Sequence, residues 1–126
     1  MVVSMAEYTV IVPELDLRAS PNKRLHYHAL GSIKAKQKKA MKKLILAQGR
    51  PEKLLDPPVH LNIYFESRTK HRRDFDNMLA SQKAYIDGTV GEIIEDDSAD
   101  KLSISLFYKA GLKESKVINE LKEVKQ

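Results

Sequence analysis

Residues 59–88 read VHLNIYFESRTKHRRDFDNMLASQKAYIDG. Val59, Leu61, Ile63 and Phe65 alternate with His60, Asn62 and Tyr64, the period-2 pattern of a strand with one buried face. A basic connector follows, made of Arg68, Lys70, His71, Arg72 and Arg73. From about Asp76 to Asp87 the pattern turns helical, with Phe75, Leu79 and Ile86 as the expected core stripe and Gly88 as the stop. A strand running straight into an amphipathic helix predicts helices layered on a sheet.

The rest of the chain extends this plan in both directions. Tyr8-Thr9-Val10-Ile11-Val12 is rich in β-branched residues and halts at Pro13, predicting a first strand. Residues 16–31 form an irregular basic segment containing Pro21, Asn22, His26 and His28. A helix is then expected from an N-cap at Ser32, with Ile33, Ala40, Met41, Leu44 and Ile45 inward and Gly49 and Pro51 ending it. Leu102 to Tyr108 predicts another strand, with Leu102, Ile104 and Leu106 facing inward and Ser103 and Ser105 outward. Val117, Ile118, Leu121 and Val124 recur at helical spacing, so the tail from Ser115 to Val124 is expected to be a helix. The predicted order is β-α-β-α-β-α. This is a single α+β domain over residues 1–126, a small mixed sheet with helices packed on it.

Charge is distributed unevenly. Residues 17–73 carry fifteen bases and three acids, whereas residues 74–100 carry eight acids and a single base, Lys83. An acidic island thus sits inside a chain whose formal net charge is +5. A basic body favours a polyanion, because neutralising phosphates releases counterions. An acidic cluster facing that polyanion repels it, and a divalent cation removes the conflict. The first expected helix, from Ser32, carries no acid at all: Lys34, Lys36, Lys38, Lys39, Lys42 and Lys43 lie in a stretch, Leu17 to Pro51, without one. Such a helix forgoes i,i+4 pairing and suits phosphate. Lys34, Lys38, Lys39 and Lys42, with Arg68, Lys70, Arg72 and Arg73 of the connector, are therefore the candidate DNA contacts.

There is no cysteine, which excludes disulfides and thiolate metal sites. No run approaches 18 apolar residues, and the N-terminus lacks a charged leader followed by a long apolar stretch. These features predict a soluble, cytoplasmic protein with no membrane partner and no small-molecule substrate.

The chemistry concentrates in Arg72-Arg73-Asp74-Phe75-Asp76-Asn77 and Glu95-Asp96-Asp97-Ser98. With Asp74 still extended and Asp76 at the helix start, both carboxylates can converge on one cation, and hard oxygen ligands suit Mg²⁺ or Mn²⁺. Asp76, Lys83 and Asp87 fall on one helical face, placing an ammonium beside the acids. Of the adjacent Asp96 and Asp97, one is expected to ligate and the other to support. The bland alternative is a helix cap and a turn, each common alone. An EF-hand is excluded by Met78 and Leu79 at its fifth and sixth positions. The Asp87-Gly88-Thr89-Val90 run lacks an aspartyl-phosphatase nucleophile, since Tyr85 occupies that place. His26 and His28 lack a third zinc partner.

The Arg-Arg-Asp-Phe-Asp-Asn run, the lysine on the helix after it and the downstream Asp-Asp-Ser together resemble the RusA-type Holliday junction resolvases, a family common on phages and prophages. The similarity covers roughly residues 9–109, and its specific part is residues 72–98. It implies a RusA-like fold and a homodimeric, Mg²⁺-dependent endonuclease of DNA recombination and repair that nicks four-way DNA junctions in pairs. By position it implies metal-binding carboxylates at Asp74, Asp76 and Asp97, with Asp96 their neighbour, and a catalytic lysine at Lys83. The family often places that lysine four residues after the second Asp, where this chain has Ala80; Lys83 occupies the same face one turn on. The family's Pro-Pro-Ser before an Asn survives loosely as Ala19-Ser20-Pro21-Asn22, which makes Asn22, with Lys23 and Arg24 beside it, a further DNA-contact candidate. Two other classes fit the same residues: a non-catalytic DNA-binding module, and a metal-dependent nuclease acting on flap DNA or RNA.

Overall fold

The computed structural model describes residues 6–19 and 27–124; Asn22, Lys23, Arg24 and His26 lie outside the described residues. The elements run β1 (Glu7–Val12), α1 (Tyr27–Gln48), β2 (Val59–Ser67), α2 (Phe75–Asp87), β3 (Leu102–Ala110) and β4 (Lys116–Glu123). The strands form one mixed sheet in the order β1-β4-β2-β3. Strands β2 and β3 are parallel and joined through α2, whereas β4 runs antiparallel to both β1 and β2. The fold is α+β with the order β-α-β-α-β-β.

The last element corrects the expected helix. Val117, Asn119 and Leu121 are all buried, the alternation of a strand. The polar Asn119 hides that period in the sequence and leaves Val117, Ile118, Leu121 and Val124 to mimic helical spacing. Pairing with a strand on either side satisfies the β4 backbone, a tertiary gain that no local pattern displays. The start of α1 is also corrected: the helix begins at Tyr27, and Ser32 is an exposed interior residue rather than its cap. No proline interrupts residues 27–48, and Gly31 faces open space, so nothing forces a break before Ser32.

All four strands bury one face under the two helices. Leu61, Ile63 and Phe65 of β2 meet Val10, Val12, Val117 and Leu121 of the other strands, Met41 and Ile45 of α1, and Met78, Tyr85 and Ile86 of α2. Each such side chain taken out of water contributes about 1.5–3 kcal/mol. Two expected core residues sit elsewhere. Phe75 opens α2 ahead of the turn that reaches the core and is 48% exposed. Ile104, on the helix-covered face of edge strand β3, is 38% exposed because it borders a cavity.

Two contacts fix the helices relative to each other. A Cβ at Gly88 would lie 2.7 Å from Met41 Cβ and 2.8 Å from the Lys38 carbonyl oxygen, so glycine here permits the close approach of α1 to the end of α2. The second contact is a buried carboxylate. Asp16 accepts hydrogen bonds from Arg18 Nε and Nη2 at 2.8 and 2.7 Å, from Tyr85 Oη at 2.7 Å and from Gln37 Nε2 at 3.1 Å. Gln82 Nε2 donates to its backbone carbonyl at 3.0 Å. Burial pushes the Asp16 carboxyl up, but the bonds from Arg18, Tyr85 and Gln37 outweigh it and hold the group well below the usual carboxylate range. Burial and the Asp16 charge push the Tyr85 phenol well up. Nothing in the sequence marks Asp16, two residues after Glu14, as the joint between the β1–α1 segment and both helices.

Candidate metal and nucleic-acid site

The first turn of α2 and the turn before β3 meet across a cavity of about 340 Å³. Asp76, Lys83 and Asp97 line it together with Leu79, Ala80, Ile86, Leu102 and Ile104. The parallel β2–α2–β3 arrangement brings these distant residues to one place. Asp76 sits in the first helical turn, where the macrodipole favours a carboxylate, and its Oδ1 accepts the Asn77 N–H at 2.9 Å. Lys83 projects from the exposed side of the same helix.

The position of Asp97 depends on a tight turn. After Gly88, the Thr89 carbonyl accepts the N–H groups of Glu92, Ile93 and Ile94, and Gly91 adopts φ +83°, a left-handed conformation that favours glycine. Buried Ile93 and Ile94 pin this turn to the core, and the Ile93 carbonyl accepts the Leu55 N–H at 2.8 Å. Asp96 Oδ1 accepts the Asp97 N–H at 2.8 Å, which holds the backbone that presents Asp97. Asp97 thus faces the cavity while Asp96 shapes its backbone. The Ser98 carbonyl accepts the N–H groups of Lys101 and Leu102 and leads the chain into β3.

Asp87 is the residue the sequence reading placed on the correct face but left out of the site. Its carboxyl lies close enough to that of Asp97 to form a hydrogen bond when one of the two is protonated. Burial, and then this bond, raise its pKa, while the charges of Lys83 and Lys38 pull it down. Asp74 is the N-cap residue of α2 in extended conformation (φ −98°, ψ 132°), and its exposed side chain makes no capping bond. Neither Asp74 nor Asp96 lines the cavity. Among the described residues no group of three or more carboxylate or imidazole side chains converges at metal-binding distance.

Behind Lys83 lies a second, smaller pocket of about 190 Å³, formed by Lys34, Ala35 and Lys38 of α1 with Lys83, Ala84 and Asp87 of α2. Lys83 therefore stands between the acids and the lysine helix. Lys34, Lys36, Lys38, Lys39 and Lys43 are exposed along α1. Lys42 instead pairs with Glu92 at 3.7 Å, a carboxylate it shares with Arg50 at 3.1 Å. In the connector Arg68, Lys70 and Arg72 are exposed and Arg73 is half-buried. Tyr108 Oη donates to the His71 carbonyl at 3.0 Å, which ties that connector to β3.

No protein-family model matches the chain, and no curated protein matches it either. No helix among the described residues is long and apolar enough to cross a membrane.

Proposed function

We propose that this protein is a metal-dependent, structure-selective endonuclease of the RusA type that acts on four-way DNA junctions as a homodimer. The observation that carries the reading is the single cavity shared by Asp76, Lys83 and Asp97, with the lysines of α1 on its far side. The donor set fits Mg²⁺, which is commonly held by one or two carboxylates together with substrate phosphate oxygens rather than by a complete protein cage. The Asp87–Asp97 carboxyl pair supports the fit, since like charges crowded together favour either a shared proton or a cation. Asp76 and Asp97 hold the ion, with Asp74 and Asp96 flanking them in the chain. When bound, the cation supplies Lewis-acid charge for phosphodiester hydrolysis.

The remaining chemistry belongs to the side chains. Water adds to phosphorus as the bond to one bridging oxygen breaks, and negative charge builds on the phosphoryl oxygens. The Lys83 ammonium offsets that charge from a fixed helical position. Lys34 and Lys38 hold the neighbouring backbone, and Arg68, Lys70, Arg72 and Arg73 extend the track. Contacts of this kind position a nucleic acid without reading its sequence, which suits a substrate defined by its branching.

The test is incubation of a labelled four-way junction, and of its linear arms, with and without Mg²⁺ or Mn²⁺. Paired nicks in the junction that require the metal are expected. Preferential cutting of flap DNA or RNA would move the reading to another metal-dependent nuclease. Salt-sensitive binding without cutting would support a non-catalytic DNA-binding module, a reading favoured by the lack of a three-ligand cluster among the described residues.

A further inference from the structure

The cavity that holds Asp76, Lys83 and Asp97 is walled mainly by aliphatic side chains. Leu79, Ala80 and Ile86 come from α2, and Leu102 and Ile104 from β3. Phosphate chemistry does not call for such walls. A metal ion, an ammonium and a phosphoryl group are all polar, and the three charged side chains that serve them supply every charge in the cavity. Ile86 and Leu102 belong to the core, whereas Ile104 is 38% exposed on the helix-covered face of edge strand β3. Ala80 offers only a methyl group from the helix side, so α2 does not seal against that strand. An apolar gap of this kind forgoes burial worth about 25 cal/mol per Å². A concave site with apolar walls and a few convergent polar groups is the ordinary form of a ligand pocket.

The charged groups identify the chemistry of the ligand. A nucleotide whose phosphate is held at Asp76, Lys83 and Asp97 carries its base one sugar away, so that base must lie close to the same cavity. Stacked in a duplex, it cannot enter. Turned out of the stack, it reaches the aliphatic walls and removes them from water. The space suffices: apolar cavities of about 150 Å³ admit a benzene ring, and this one, at about 340 Å³, has room for a two-ring purine. Turning a base out costs a few kcal/mol in a paired duplex and least where the base is mispaired or already unstacked. A branch interrupts stacking, so the cost falls there.

We infer that this cavity is a nucleobase pocket: one DNA base beside the cleaved phosphate leaves the stack and packs against Leu79, Ala80 and Ile104. The inference rests on the reading of Asp76, Lys83 and Asp97 as a phosphodiester site. It adds a source of selectivity that backbone contacts lack, because a strand is then cut where a base turns out readily and not within a continuous duplex. Aliphatic walls present no donors or acceptors, so the pocket selects an unstacked base rather than a particular one.

The test uses the native chain and two variants that fill the cavity, Ala80→Leu and Ile104→Phe, chosen because leucine suits a helix and phenylalanine a strand. Four-way junctions carry 2-aminopurine, which brightens on unstacking, at the branch, with Ca²⁺ in place of Mg²⁺. Native protein should brighten the probe severalfold on binding, while each variant binds the junction and leaves the probe at its unbound level. A single mispair in a linear duplex supplies the same loosened base without a junction. It should raise the affinity of the native chain about tenfold and that of either variant less than about twofold, since only the native pocket gains from the lowered unpairing cost. Equal brightening by native protein and a folded variant would overturn the inference. So would a native chain with no preference for the mispair, a readout that needs no variant. Brightening that both variants abolish, without cutting of any substrate, would support the base pocket and remove the nuclease reading. Metal-dependent cutting by native protein with a dark probe would remove the pocket and leave the nuclease.

Discussion

Lys83 is the residue on which the proposed chemistry depends most visibly, because it lines both the acid cavity and the lysine pocket. Its side chain is exposed, so its removal should not harm folding. Lys83→Ala is expected to lower the junction-cutting rate by tenfold or more, the scale of losing one preorganised electrostatic donor, while leaving junction affinity nearly unchanged. A single-turnover assay beside a gel-shift titration separates the two effects, and an unchanged rate would reduce Lys83 to a solvated helix residue. Asp16 makes the opposite case, a residue of stability rather than chemistry. Its carboxylate is buried and multiply bonded, so Asp16→Asn should cost roughly 2–4 kcal/mol at neutral pH, the lower end being favoured because Arg18 is half in solvent. Its pKa is depressed in the fold, so its contribution is complete above the unfolded value of about 3.9 and is lost as pH falls below that toward the folded value. Urea unfolding across that acid range should therefore show a shallower pH dependence in Asp16→Asn than in the native chain.

Among the elements, α1 presents the clearest electrostatic proposal and β4 the clearest lesson in what a sequence hides. Replacing Lys34, Lys38 and Lys39 by Gln should weaken binding to any duplex and flatten its salt dependence by up to about 0.9 log–log units per lost phosphate contact. Lys42→Gln should change the slope less, because that ammonium already faces Glu92. Equal slopes for native and triple-variant protein would mean that the helix faces solvent alone. The lysine face was legible because the sequence offers no acid from Leu17 to Pro51 to pair with it. Strand β2 was legible because its inward positions are all apolar up to Phe65. Strand β4 was not, because Asn119 occupies an inward place and the pairing that makes it a strand comes from β1 and β2, distant in sequence. The acid site divides the same way. The helical spacing of Asp76 and Lys83 could be counted, whereas the choice between Asp96 and Asp97 was made by a turn whose anchors, Ile93 and Ile94, read only as apolar residues. The contact of Asp87 with Asp97 depends on where that turn lands and has no signature in either local run.

At the scale of the whole molecule, the acidic stretch is neutralised only in part: Glu92 pairs with Lys42 and Arg50 and Glu95 with Lys101, whereas Asp87 and Asp97 lie together. Residues 74–100 carry a net charge of −7, eight acids against Lys83, and the structure brings Asp87 and Asp97 into contact with only the charges of Lys83 and Lys38 to offset part of their repulsion. The native state therefore holds repulsion that the unfolded chain, with its acids apart, does not. A cation that binds the folded site and not the unfolded chain stabilises by mass action, about 2.7 kcal/mol at a hundredfold excess over its dissociation constant. For a domain of this size that corresponds to a rise of several degrees in melting temperature. Adding Mg²⁺ without DNA should accordingly raise the melting temperature of the native chain in a saturable way. In Asp76→Asn with Asp97→Asn the rise should vanish, while the metal-free melting temperature stays level or increases because the like charges are gone. Ca²⁺ at equal ionic strength serves as a second hard cation, and Na⁺ controls for general screening. If Na⁺ reproduces the shift, or if the double variant still responds to Mg²⁺, the carboxylates around this cavity hold no metal, and the cutting proposed for it must be assigned elsewhere.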